Sequence, residues 1–222
     1  AYGGGGVGGL VGICNMALEN CTAVTDIQLN FTHSDSARNV RAGGLVGSCQ
    51  RGITNCYAGG SITRTGDDSS DSKLHVGGLV GGYFMKTLNL SVTEITANSD
   101  SQATIRNCYT FTRLPAKVSG NLFAVGGRGE ISLPNTNGNA RYRFAYQNCY
   151  YLESCLTGAP GNYLDVGAPG VSEASFAELS AGGSAYEALL TARFAPVTTT
   201  TSTGDPIDIL AINQTIRALS TA

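Results

Sequence analysis

Cysteines are the residues of this chain whose type and spacing first suggest chemistry. The chain has seven, and a gap of six residues separates the first two and recurs between the next two. A recurring gap of this kind favours local disulfides, although pairing between successive repeats fits the same counts equally well. The local disulfides that the spacing predicts are Cys14–Cys21, Cys49–Cys56 and Cys149–Cys155, which leaves Cys108 without a partner.

This number of cysteines predicts an oxidising, extracellular or cell-surface location. The alternative is a set of reduced cysteines in the core, where a thiol packs as a small apolar group. A zinc site fits less well, because the two histidines, His33 and His75, lie away from the cysteines of the repeat.

One acidic cluster lies in the segment GDDSSDS, which contains Asp67, Asp68 and Asp71. Carboxylate oxygens at this density are candidate ligands for calcium. A solvated turn explains the same residues, and the spacing of an EF-hand loop is not met. Calcium is therefore the only cofactor that the sequence suggests.

The remaining polar residues give no catalytic constellation. The sequence contains neither HExxH nor a phosphate-binding loop with Lys followed by Ser or Thr. A Ser-His-Asp triad would depend on His33 or His75, the two histidines of the chain. The acidic residues do not recur at a fixed position of the repeat, as they would if they formed a catalytic cluster on one face. We therefore predict no catalytic residues and a protein that is not an enzyme.

An internal repeat must position these side chains. Glycine pairs open a short apolar motif at steps of 35, 34 and 49 residues, and an Asn-Cys motif follows each pair. The glycine motifs are Val7–Gly12, Ala42–Gly47, Val76–Gly81 and a decayed copy at Val125–Glu130. The Asn-Cys motifs are Asn20–Thr22, Asn55–Tyr57, Asn107–Tyr109 and Asn148–Tyr150.

Short Leu-Val runs bounded by glycines favour strands and turns over helices, because glycine costs about 1 kcal/mol in a helix interior. Stacked repeats bury the apolar face that one repeat alone leaves exposed. We therefore predict an all-β parallel β-helix, or β-solenoid, of about four rungs with loop insertions, mainly at Tyr83–Thr104. Leu10, Leu45 and Leu79 would form one interior column, with Val11, Val46 and Val80 facing the other way in a regular strand.

Three tyrosines follow the Asn-Cys motif: Tyr57, Tyr109 and Tyr150. They form a candidate ligand face, since aromatic rows stack on sugars. Ordinary strand packing explains them as well.

The motif cores Gly9–Gly12, Gly44–Gly47 and Gly78–Gly81 resemble GLUG repeats, over roughly residues 3–152. That resemblance implies a β-helical repeat of bacterial surface and secreted proteins, or of the non-catalytic regions of immunoglobulin-A-directed metallo-endopeptidases. The fourth copy departs from the family pattern, with Arg128 in the place of Leu.

Three segments follow from these patterns: repeats over 1–152, a loop with a short-helix cap over 153–196, and a Thr-rich linker with a terminal helix over 197–222. Capping boxes at Ser175–Glu178 and Ser184–Glu187 predict helix starts in the second segment. The first repeat core lies close to residue 1, so we expect a bare edge there, covered by another subunit or by further repeats.

Charged residues make up 14% of the chain and its net charge is −2, which argues against a nucleic-acid partner. No apolar run reaches the length of a transmembrane helix. We predict an extracellular, non-catalytic repeat protein, either a surface adhesin or a presentation scaffold, with a cell-surface glycan or protein as partner. The alternatives are a self-assembling subunit of a filament or surface layer, which binds copies of itself through its ends and tail, and a polysaccharide-active enzyme.

Overall fold

The computed structural model describes residues 5–31, 40–66, 74–83, 104–116, 121–127, 129–132, 139–142 and 145–194. Within these ranges the chain is mostly β, and nearly all strand pairs are parallel. The predicted all-β class is therefore confirmed.

The strands fall into four layers, each formed by one repeat of the sequence. Layer 1 contains β1 (Gly5–Gly8), β2 (Val11–Cys14), β3 (Leu18–Glu19) and β4 (Thr22–Phe31). Layer 2 contains β5 (Val40–Gly43), β6 (Val46–Cys49), β7 (Ile53–Thr54) and β8 (Tyr57–Gly66). Layer 3 contains β9 (Leu74–Gly77), β10 (Val80–Tyr83) and β11 (Thr104–Arg113), and layer 4 contains β12 (Asn121–Phe123) and β15 (Ala145–Leu152).

Each layer pairs with the next in parallel and in register, so equivalent repeat residues are direct neighbours. The strand orders are β1-β5-β9-β12 in the first sheet and β2-β6-β10 in the second. In the third sheet β4 pairs with β8, β8 with β11 and β11 with β15. Between β12 and β15 lies an antiparallel hairpin of β13 (Gly129–Ser132) and β14 (Asn139–Tyr142).

Close approach of the backbone between the first two sheets explains the glycines of the repeat. A Cβ atom added to Gly43 would overlap the carbonyl of Val46 and the backbone of Gly81. A Cβ added to Gly81 would overlap the backbone of Ala42 and Gly47. Glycine alone lets strands of the first two sheets lie this close together, both within one repeat and between neighbouring repeats.

The main core lies between the second and third sheets. Leu45, Val46, Leu79 and Val80 are all fully buried and belong to the same apolar cluster. The expectation that the Leu and Val columns face opposite ways is therefore wrong. The chain bends between the two residues, at the point where β6 and β10 begin, so strand alternation does not apply across the bend.

The fourth repeat is aligned differently from the sequence expectation. Leu122 pairs with Val76, and the backbone N–H of Leu79 donates to the carbonyl of Val125. Val125 thus takes the place of leucine in layer 4, three residues before Arg128. The pair Gly126 and Gly127, which in the sequence suggested that Arg128 takes the place of leucine, lies after Val125.

The C-terminal part of the described chain folds against the layers. β16 (Val171–Ala174) pairs with β15, and α1 (Ser184–Phe194) packs on the outer face of the third sheet. Helix α1 begins at the predicted capping box. At the other predicted box Ser175 and Glu178 exchange hydrogen bonds, but the chain forms only a turn there. The tail from 197 to 222 lies outside the described residues.

Candidate functional site

Asparagine occupies the same sharp corner in all four layers. Asn20, Asn55, Asn107 and Asn148 have φ values between 51° and 53°, in the left-handed region. Asparagine tolerates this region better than other residues with a Cβ atom. The corner turns the chain into the long strand of the third sheet, and it places the cysteine that follows each asparagine inside.

The amide side chains of this corner form a ladder. Asn107 Nδ2 donates to Asn55 Oδ1 at 3.3 Å, and Asn148 Nδ2 donates to Asn107 Oδ1 at 3.2 Å. The same amides reach helix α1, because Asn107 also donates to the Ala192 carbonyl and Asn148 to the Ala188 carbonyl. The ladder therefore joins the layers to one another and to the helix.

The cysteines of the Asn-Cys motif form a column behind this ladder. Each thiol donates to the carbonyl two residues earlier, for example Cys56 to Thr54 at 3.1 Å and Cys108 to Arg106 at 3.0 Å. The sulfurs of Cys56 and Cys108 also accept from the layer before them, since the Cys21 N–H donates to Cys56 Sγ and the Cys56 N–H to Cys108 Sγ. The column is thus held by hydrogen bonds that satisfy the corner backbone.

The predicted local disulfides are not formed, and all seven cysteines are free thiols. The thiols of Cys14 and Cys21 point to different carbonyls, those of Met16 and Glu19. Their sulfur neighbours lie in layer 2, where Cys14 pairs with Cys49 in register.

Cys149 and Cys155 are separated by the third sheet, which rules out their predicted pairing in this arrangement. Cys149 belongs to the main core, whereas Cys155 lies in the cluster on the outer face. Cys108, which was left over by the local scheme, takes an ordinary place in the column between Cys56 and Cys149.

Burial limits the access of these thiols to an outside electrophile. It raises the pKa of Cys49 and of Cys149 to about 12 and the pKa of Cys108 as well. The hydrogen bond with the Cys108 thiol lowers the pKa of Cys56, but that residue is only 1% exposed. A reactive cysteine needs a lowered pKa and access to solvent. The column is therefore a packing and hydrogen-bonding feature and does not resemble a catalytic thiol site.

The tyrosine row is buried and does not form an open ligand face. The rings of Tyr57 and Tyr109 stack with centroids 5.0 Å apart, and Phe111 stacks on both. Ala185 and Leu189 of helix α1 belong to the cluster that covers them. The interpretation as a ligand face is wrong for Tyr57 and Tyr109, while Tyr150 is only partly buried at the edge of this cluster.

Asp165 closes the layer 4 end, and sequence analysis did not identify it. In layers 1 to 3 the N–H groups after the first strand donate to carbonyls of the next layer, as Leu45 does to Leu79 at 3.0 Å. In layer 4 the equivalent N–H groups of Ala124, Val125 and Gly126 donate to the two carboxylate oxygens of Asp165. The side chain is only 3% exposed.

The layer 1 end is open by comparison. No described strand pairs with β1 to β4 on the side away from layer 2. Leu10 is 48% exposed, whereas Leu45 in the same column is fully buried. The other exposed apolar side chains of this end are Val7, Ile13, Met16 and Val24.

The predicted calcium ligands Asp67, Asp68 and Asp71 lie outside the described residues. Among the residues that are described, no group of three or more His, Cys, Asp or Glu side chains could hold a metal ion. The helix of the described part is too short to cross a membrane.

Comparison of the chain with protein-family models, with curated proteins and with solved structures finds no match. The resemblance to GLUG repeats therefore stays a prediction that depends on the motif residues.

Proposed function

We propose that the four layers form a parallel β-helix, and that this β-helix is the rigid, non-catalytic frame of an extracellular adhesin or presentation scaffold. The observation that carries the proposal is the contrast between the frame and its connections. Cysteine, asparagine and apolar columns repeat in register through the layers. The segments 32–39 and 67–73, which connect the layers, are similar in length but differ in sequence, and the long segment 84–103 is inserted within layer 3.

Two of these connecting segments leave and rejoin the frame at neighbouring positions. Segment 32–39 follows Phe31, which pairs with Gly66, the residue before segment 67–73. They end at Val40 and Leu74, which also pair with each other. We call these two segments the presentation edge. Their sequences, THSDSARN and DDSSDSK, are polar and unlike each other, as suits residues that select a ligand on a fixed scaffold.

The partner of this edge would be a cell-surface glycan or protein. The test replaces 32–39 and 67–73 with Gly-Ser linkers of equal length and measures binding to a printed glycan array and to immobilised extracellular matrix proteins. The matched control replaces 84–103, which follows β10 at a different corner. We expect the edge variant to keep its thermal unfolding and to lose binding, while the control retains both.

Equal binding by the native chain and the edge variant would contradict the proposal, as would a native chain that binds no probe. Release of sugars from a polysaccharide panel would favour the enzyme alternative.

Self-assembly is the second candidate function, and the exposed apolar side chains of layer 1 favour it. A head-to-tail filament needs two open ends, however, and Asp165 and the residues around it close the layer 4 end. A second copy would instead pair layer 1 with layer 1, and such an assembly closes as a dimer. Light scattering distinguishes these cases: monomers or dimers fit a scaffold, whereas long polymers would support the filament.

A further inference from the structure

Cys14 and Cys49 end equivalent strands of layers 1 and 2. They are direct partners in the parallel register of β2 and β6. Neighbouring parallel strands are about 4.8 Å apart, which lies within the range of Cα separations that a disulfide spans.

The two thiols also lie against a shared carbonyl. Cys14 Sγ donates to the carbonyl oxygen of Met16 at 3.2 Å. Cys49 Sγ donates to the Arg51 carbonyl at 3.1 Å and lies 3.8 Å from the Met16 oxygen. The side chains of Cys14 and Cys49 are hydrogen-bonded to each other as well. Both Cβ atoms therefore direct their sulfurs into the same space.

This pair has no competing cysteine in its own column. The equivalent position in layer 3 is Tyr83. In the neighbouring column, by contrast, Cys56 lies between Cys21 and Cys108 and hydrogen-bonds with both thiols. Of the two columns, only that of Cys14 and Cys49 offers one unambiguous pairing.

We propose that Cys14 and Cys49 are a disulfide site that links layer 1 covalently to layer 2. This inference does not depend on the proposed adhesive function. The oxidant is a small disulfide such as oxidised glutathione, or a protein disulfide of an oxidising compartment. The half-buried Cys14 thiolate attacks that disulfide, forms a mixed disulfide and releases one thiol. The Cys49 sulfur then attacks Cys14 Sγ, loses its proton and releases the second thiol.

The location of the site gives it a structural purpose. Layer 1 has a described neighbour on one side alone, and a layer with fewer stacking contacts opens more easily. A cross-link at the end of β2 holds this layer to the fully buried strand β6 beneath it.

Peptide mapping tests the site directly. The purified chain is incubated with oxidised glutathione, denatured in the presence of iodoacetamide, and digested with trypsin and a Glu-specific protease. Cleavage after Glu19, Arg38, Arg41 and Arg51 places Cys14, Cys21 and Cys49 on separate peptides. We expect peptide 1–19 to be linked to peptide 42–51, with neither cysteine alkylated.

A link between peptides 1–19 and 20–38 would overturn the proposal in favour of the local pair Cys14–Cys21. Complete alkylation of Cys14 and Cys49 after long incubation would overturn it too.

Two variants distinguish a specific disulfide between Cys14 and Cys49 from unspecific oxidation of the thiols. Cys49→Ser should leave Cys14 as a glutathione adduct, whereas the matched control Cys21→Ser should keep the link between peptides 1–19 and 42–51. If Cys49→Ser fails to fold, Cys14→Ser at the half-buried partner should make Cys49 fully alkylated after denaturation. A Cys49 that stays protected from alkylation in Cys14→Ser would contradict the assigned pairing.

Discussion

Side chains that satisfy backbone groups determine where this chain turns and where its stack of layers ends. At the Asn-Cys corner, Asn107 adopts a left-handed conformation and bonds to the amides of the layers on both sides. At the layer 4 end, Asp165 accepts the N–H groups that would otherwise donate to a further layer. Buried polar groups without a hydrogen-bond partner are costly. Asp165 provides acceptors for three N–H groups and Asn107 provides a donor for the Ala192 carbonyl, so both contribute to stability beyond their own packing.

Asp165 also makes stability depend on pH. Burial of the Asp165 carboxylate outweighs the backbone hydrogen bonds that the carboxylate accepts, and it raises the pKa of Asp165 from 3.8 to about 6. The folded state therefore holds its proton more tightly than the unfolded state does. The free energy of unfolding should fall as pH rises from about 4 to about 6, by roughly 3 kcal/mol at most.

Replacement of Asp165 by alanine tests both statements. Asp165→Ala leaves three buried N–H groups without an acceptor, so we expect a loss of about 2 kcal/mol or more in the free energy of unfolding at pH 7. Its dependence on pH between 4 and 6 should flatten as well. Urea unfolding at several pH values measures both effects. Asp26→Ala, at an exposed aspartate bonded to Ser61, is the control and should change little. An Asp165→Ala protein with the parent's stability and pH slope would disprove the capping role.

The sequence reveals the Asn-Cys motif and not the role of Asp165, for a physical reason. The motif recurs four times, and asparagine has a local tolerance for the left-handed conformation that its corner requires. Asp165 occurs once, and its partners lie about 40 residues earlier in the chain. Nothing in the segment around it indicates which backbone groups it would meet.

At the scale of elements, the glycine motif removes side chains between strands of the first two sheets, within a repeat and between neighbouring repeats. Gly43 and Gly81 lie where the first two sheets touch through their backbones. The motif therefore predicts strands correctly. The reason for its glycines, which is the close contact between two backbones, can be seen only in the folded structure.

Substitution at Gly81 should show the cost of separating these strands. The added methyl group of Gly81→Ala would overlap the backbone of Ala42 and Gly47, so we expect a loss of about 3 kcal/mol or more in the free energy of unfolding. Gly161→Ala is the matched control, because a Cβ atom there meets nothing within 4 Å. Its effect should stay within about 0.5 kcal/mol. Equal stabilities of the two variants in urea would contradict the close approach.

Element boundaries show where repeat counting fails. The Gly-Gly pair before Arg128 suggested a decayed fourth copy, whereas hydrogen bonding places Val125 in the leucine column. Helix α1 was expected from its capping box, but its position over Tyr57 and Tyr109 was not. Contacts between residues far apart in the chain determine both the alignment of the fourth repeat and the position of helix α1. A single sequence carries little information about such contacts.

At the scale of the whole molecule, the two ends of the stack differ. The layer 4 end is closed by Asp165 and by β16, while the layer 1 end exposes Leu10, Ile13 and Met16. Among the described residues, a covalent link between Cys14 and Cys49 would hold the layer whose strands have partners on one side alone.

The central claim is that equivalent residues of successive repeats lie beside one another in parallel. Nuclear Overhauser effects between backbone protons of the isotopically labelled chain test it most directly. The account predicts contacts that connect Tyr57 of β8 with Thr22 of β4 on one side and with Tyr109 of β11 on the other. It also predicts contacts between Cys108 and Cys149. Contacts in an antiparallel pattern between β2 and β4 of one repeat, without contacts between repeats, would contradict it.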